Sequence, residues 1–200
     1  MLNRAGAIVL ASGVLLLLSA CAPKPTTPTI NESMTKVMAV HAQTIWDMTS
    51  KAFNDKGDGL DASKLSDQDW ARLAYAGQQL SDRALVLANA AHVTVKGEGE
   101  TVMGEDINHQ GQPGDAATAK EIQGFIDANP GLFADKARKL AESGTDLVKA
   151  AKTKDVAVAY RVSAGLDEVC DGCHEKFWGT DEPPEYPGKP NVPGGWIKAQ

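Results

Sequence analysis

Four stretches of this chain repeat apolar residues at the three-to-four spacing of a helix, and no stretch shows the strict alternation of a strand. Met34, Met38, His41, Ile45 and Met48 make the first stripe. Trp70, Leu73, Ala74, Gly77, Leu80, Ala84, Leu87, Ala88 and Ala91 make the second, and Phe133, Ala137, Leu140, Gly144, Leu147 and Ala151 the third. The fourth is Ala159, Val162, Leu166, Val169, Cys173 and Phe177. A stripe of this kind is the buried face of an amphipathic helix. Four of them, with no sheet to cover them, have only each other to pack against. The pattern predicts an all-α fold, an antiparallel four-helix bundle, with long helices over about 31–54, 66–91, 130–152 and 155–177. Small residues on the second stripe allow close helix approach or leave room for a flat cofactor.

The punctuation fits. Ser66, with Asp67 and Asp69 behind it, reads as an N-cap with an acidic first turn. Asn129-Pro130 reads as an N-cap and first helical position. Gly57-Asp58-Gly59 closes the first helix as a turn; a calcium loop fails because its register has too few carboxylates. Residues 97–128 form an insertion: a loop with Gly97, Gly99, Gly104, Gly111, Pro113 and Gly114, then a short helix over about 116–128 carrying Ile122, Phe125 and Ile126. A connection of that length hints at function or mobility.

The ends of the chain carry other signals. Arg4 and the apolar run 5–18 have the shape of a signal peptide, too short to span a bilayer. Leu18-Ser19-Ala20-Cys21 resembles a bacterial lipobox, so residues 1–20 read as a lipoprotein leader and Cys21 as the lipidated first residue. Pro23, Pro25 and Pro28 then make residues 21–30 an extended tether. The implied location is the periplasmic side of the cell envelope, anchored to the outer membrane because Ala22 rather than Asp follows the cysteine. Net charge is −6, and −7 without the leader, which argues against nucleic acid as a partner. Residues 179–200 form a tail rich in proline and glycine.

Near the end of the fourth stripe stands Cys170-Asp171-Gly172-Cys173-His174. C-x-x-C-H is the attachment pattern of a c-type haem. On a helix the two thiols share a face, where each can form a thioether to a porphyrin vinyl. The adjacent histidine becomes an axial iron ligand. A structural zinc site would need a second pair of donors of this kind, and the third cysteine is Cys21. A thioredoxin-like dithiol would need a βαβ setting. The expected cofactor is one covalent haem c on Cys170 and Cys173, with His174 on the iron.

No methionine or histidine follows His174, so a second protein ligand must come from upstream. In an antiparallel bundle the end of the last helix lies beside the start of the first. That places the haem near Met34 and not Met48, which is about 21 Å further along the helix. Met34 is the expected second ligand and Met38 the alternative. His41, His92, Met103 and His109 read as surface, capping or loop residues. Leu87, Phe133 and Phe177 are expected at the pocket.

A C-x-x-C-H on the last of four helices resembles the class II c-type cytochromes, the cytochrome c prime family, over about residues 31–178. Ile45-Trp46-Asp47 is similar to a pattern in related sequences. The resemblance is to the low-spin members, whose first-helix methionine ligates iron, and it implies the same role for Met34. The family commonly places an arginine after Cys-His-x-x-Phe/Tyr; here Phe177 is kept and Trp178 replaces the arginine, with Lys176 nearby. The implied function is electron transfer with a redox protein partner, without enzymatic activity. The alternative is a five-coordinate protein binding nitric oxide or carbon monoxide; a peroxidase-type enzyme ranks below both. Homodimers through the first two helices occur in the family and are a possibility by analogy.

Overall fold

The computed structural model describes residues 27–102 and 117–179. The leader, Cys21, Met103, His109 and the tail beyond Gly179 lie outside the described residues. Among the described residues the chain is all-α, with five helices and an isolated bridge between Phe53 and Leu60. α1 runs through Ile30–Ser33, a π-helical stretch Met34–Met38, and Ala39–Ser50. α2 is Asp67–Ala88, α3 Ala119–Ala128, α4 Pro130–Thr153 and α5 Val156–His174, which passes into a second π-helical stretch, Glu175–Gly179.

The helix ends follow local chemistry. Ser66 and Asp69 form a reciprocal capping box that opens α2. Thr118 and Glu121 do the same for α3, so that helix starts later than the expected 116. Pro130 takes the first position of α4, but the Asn129 side chain makes no capping bond. α4 ends where Lys154 adopts the left-handed conformation. α1 stops at Ser50, short of the expected 54. The Asn54 side chain there accepts from the Lys56 and Asp58 N–H groups and builds a turn instead. α2 ends at Ala88 with Asn89 as its C-cap; His92 is exposed beyond it and caps nothing.

α1 and α2, and α2 and α4, run antiparallel, as their side-chain pairs show. Lys51 meets Asp69, His41 meets Tyr75 and Arg83 meets Ser33 between α1 and α2. Lys154 meets Asp67 and Thr145 meets Ser81 between α2 and α4. Trp46 Nε1 donates to the Ser163 carbonyl, and Thr49 shares a 2.7 Å hydroxyl bond with Ser163, between α1 and α5. The α2–α4 pair has the closest backbone approach. A Cβ on Gly77 would sit 2.7 Å from the Gly144 carbonyl oxygen, and one on Gly144 would collide with the Gly77 oxygen. Leu73, Leu80, Leu87, Leu147 and Leu166 are fully enclosed between the helices. Each such leucine contributes about 1.5–3 kcal/mol by leaving water.

Candidate functional site

At the end of the molecule where α1 begins and α5 finishes there is a half-open cleft with about 500 Å³ of space including its mouth. Met34 and Thr35 face it from α1, and Cys173 and His174 from α5. Phe177 and Trp178 face it from the π-helical extension of α5, and Phe133 from the first turn of α4. Val95, Val102, Ile122 and Ile126, with Ile30 and Asn31 from the start of α1, form the remaining wall. Residues 140 positions apart therefore share one mostly apolar surface, as ligand sites typically do.

Each side chain is placed by its element. Cys170 and Cys173 are three apart on α5, half-buried, and lean toward the core; Cys173 lines the cleft and Cys170 sits one turn behind it. The His174 ring meets the edge of Trp178 at 5.2 Å and 87°. Phe133 and Phe177 make a second edge-on pair at 5.5 Å, tying α4 to the end of α5. Lys136 reaches over the motif from α4: a Cβ on Gly172 would stand 3.3 Å from its Nζ.

Burial sets the protonation states. It raises the Cys170 thiol to about 12, helped by the charges of Asp167 and Asp171. It raises Cys173 to about 11 against the opposing charge of Lys136. Both remain thiols at neutral pH. Burial lowers His174, with Asp171 partly opposing, so the imidazole is neutral with a lone pair to donate. Asp171 Oδ1 is buried beside this motif with no hydrogen-bond partner among the described residues. An acceptor left open in that position is one that a bound group or an ordered water would satisfy.

The donor set suits a porphyrin iron better than a bare metal ion. The Cys173 thiol, the His174 imidazole and the Met34 thioether share the cleft, with the Cys170 thiol one turn behind, while no group of three or more His, Cys, Asp or Glu side chains among the described residues could hold a metal ion. A structural zinc site would require four donors of this kind. A haem brings four of its own nitrogens and needs from the protein only axial ligands.

Most of the expected pocket residues meet at this cleft: Met34, Cys173, His174, Phe133 and Phe177. Leu87 does not; it is buried in the core with 2% exposure. The side of the cleft expected for α2 is taken by Val95, just before the insertion, Val102 in its loop, and Ile122 and Ile126 of α3. Met38, the alternative ligand, is 6% exposed in the core and is not on the cleft. Met48 packs against the core away from it.

Three contributions had no sequence signal of their own: the Trp178 edge on His174, Lys136 over Gly172, and the two π-helical stretches flanking the cleft. Single π turns inside helices occur frequently at functional sites. The aliphatic stripe of Ile122 and Ile126 was visible, but nothing in it said which surface it would cover. No protein-family model, curated protein or solved structure matches this chain.

Proposed function

We propose that the protein is a monohaem c-type cytochrome that transfers electrons on the periplasmic side of a bacterial envelope. The observation that carries this reading is the meeting of Met34, Cys173 and His174 on one apolar cleft at the attachment motif. α1, α2, α4 and α5 each contact the next in a closed ring, which supports an antiparallel four-helix bundle of the class II cytochrome type.

The residues divide the work. Cys170 and Cys173 would hold a haem c covalently through their sulfurs. Neutral His174, its ring in edge-on contact with Trp178, would be one protein ligand to the iron. Met34 would be the second, and a thioether ligand favours the reduced iron and raises the potential. Haem c, when bound, supplies a centre that gains and loses one electron. With both ligands supplied by the protein, the site would exchange electrons and would leave no open position for a substrate. Cys21 holds the domain to the membrane through its lipid, and the redox partner is another protein.

The attachment is tested by acid–organic extraction of the holoprotein. Haem is expected to stay with the wild-type chain and to be released from the Cys170→Ser/Cys173→Ser double variant. Full extraction from the wild type would overturn the covalent reading.

A further inference from the structure

The turn that precedes Met34 is tied down by a part of the chain that the simple bundle plan lacks. Thr29 caps α1, its hydroxyl accepting from Glu32 N–H at 3.0 Å. The next two N–H groups, of Ile30 and Asn31, donate to the Thr94 and Val95 carbonyls at 2.9 Å each. Orphan donors at a helix start are thus satisfied by the backbone just before the insertion. Glu100 closes the arrangement. One of its oxygens, Oε2, accepts from the Thr29 hydroxyl at 2.9 Å, the Gly97 N–H at 2.9 Å and the Asn31 amide at 3.5 Å. The turn 97–100 that aims the carboxylate is completed by Gly99, whose φ of +77° is in the left-handed region.

The same stretch is fastened on its other side. The Gln123 side chain of α3 accepts from Val95 N–H at 2.9 Å and donates to the Val93 carbonyl at 3.0 Å. Val95 and Val102, on either side of Glu100, both wall the cleft. One continuous set of hydrogen bonds therefore runs from α3 through the 93–100 segment to the first turn of α1. Met34 lies one turn beyond that fastening, about 6 Å along the axis. Helix starts fray unless held, and a frayed first turn would carry the thioether away from the cleft.

We infer that Glu100 is a positioning residue for the second axial ligand, fastening the start of α1 to the insertion so that the Met34 sulfur stays on the iron. This rests on the proposed His174/Met34 ligation. The 93–100 segment then acts as a clasp that keeps the Met34 turn in place.

The test uses the full-length holoprotein and compares Glu100→Ala, Glu100→Gln, Gly99→Val and Met34→Ala, with helix content and haem loading measured for each. Glu100→Ala is expected to shift the spectrum toward high spin and to admit carbon monoxide, in the same direction as Met34→Ala. Glu100→Gln keeps an acceptor oxygen and is expected to restore most of the wild-type spectrum. Gly99→Val meets nothing in space and strains only the turn, so it is expected to move the spectrum in the same direction as Glu100→Ala. If Met34→Ala changes the spectrum and Glu100→Ala, at equal loading and helix content, does not, the clasp is refuted and the ligation stands. If Met34→Ala leaves the spectrum unchanged, the ligation fails and the inference falls with it.

Discussion

Individual residues at the cleft differ in how openly the sequence declared them. Cys170, Cys173 and His174 carry a spacing that few other chemistries use, so their assignment needed no fold. Met34 needed one: among five methionines, only the antiparallel run of first and last helices singles it out. Phe133 and Phe177 followed from the same end-to-end logic. Leu87 did not, because a stripe tells which face is buried and not what covers its end; the insertion came between that end and the cleft. Trp178 could not be read at all, since an aromatic in place of an arginine says nothing about the imidazole it will touch. The residue with the sharpest consequence is Met34. Met34→Ala is expected to turn a six-coordinate low-spin haem into a high-spin one and to lower its reduction potential, measured by optical titration of the holoprotein.

At the level of elements, α2 is the best defined in both sequence and structure. Its N-cap Ser66 and acidic first turn were visible in sequence; the structure adds the reciprocal bond from Asp69, and Lys51 at the end of α1 pairs with that carboxylate. The Lys51 ammonium, then Ser66, hold the Asp69 carboxyl well below its usual range. That contribution is complete above the unfolded carboxyl's pKa near 4 and is lost as pH falls toward the depressed folded value. The thermal midpoint is therefore expected to be lower at pH 3 than at pH 5. Asp69→Asn is expected to be less stable at pH 5 and to lose less on acidification. The α2–α4 contact gives a second measure. Gly144→Ala would drive a Cβ into the Gly77 carbonyl and within 2.9 Å of the Ser81 nitrogen. The expected cost is about 1–3 kcal/mol in urea unfolding, since backbone cannot yield as a side chain can. The glycines stood on the stripes, but their facing each other depended on helix register, which periodicity leaves open. The π-helical stretches were equally hidden: their residues keep an apolar spacing, and only the backbone shows the altered bonding.

The whole molecule divides into a scaffold and a closure. Five helices and their order were largely legible because each stripe demands a partner; the two longer connections are 51–66, closed by the Gly57–Gly59 turn, and the one that carries the insertion. The insertion was recognisable as a departure but not as a wall, since the valines there carry no periodicity and its anchoring depends on Glu100 and Gln123 reaching distant backbone groups. As proposed, the scaffold brings a C-terminal attachment site to an N-terminal ligand, and the insertion covers the side that the long helices leave open. This account requires both axial positions of a covalently held haem to be occupied by the protein. The most direct test is the optical spectrum of the reduced wild-type holoprotein before and after carbon monoxide is added. A low-spin spectrum that carbon monoxide leaves unchanged is the predicted result; a high-spin spectrum that shifts at once on adding the gas would contradict it.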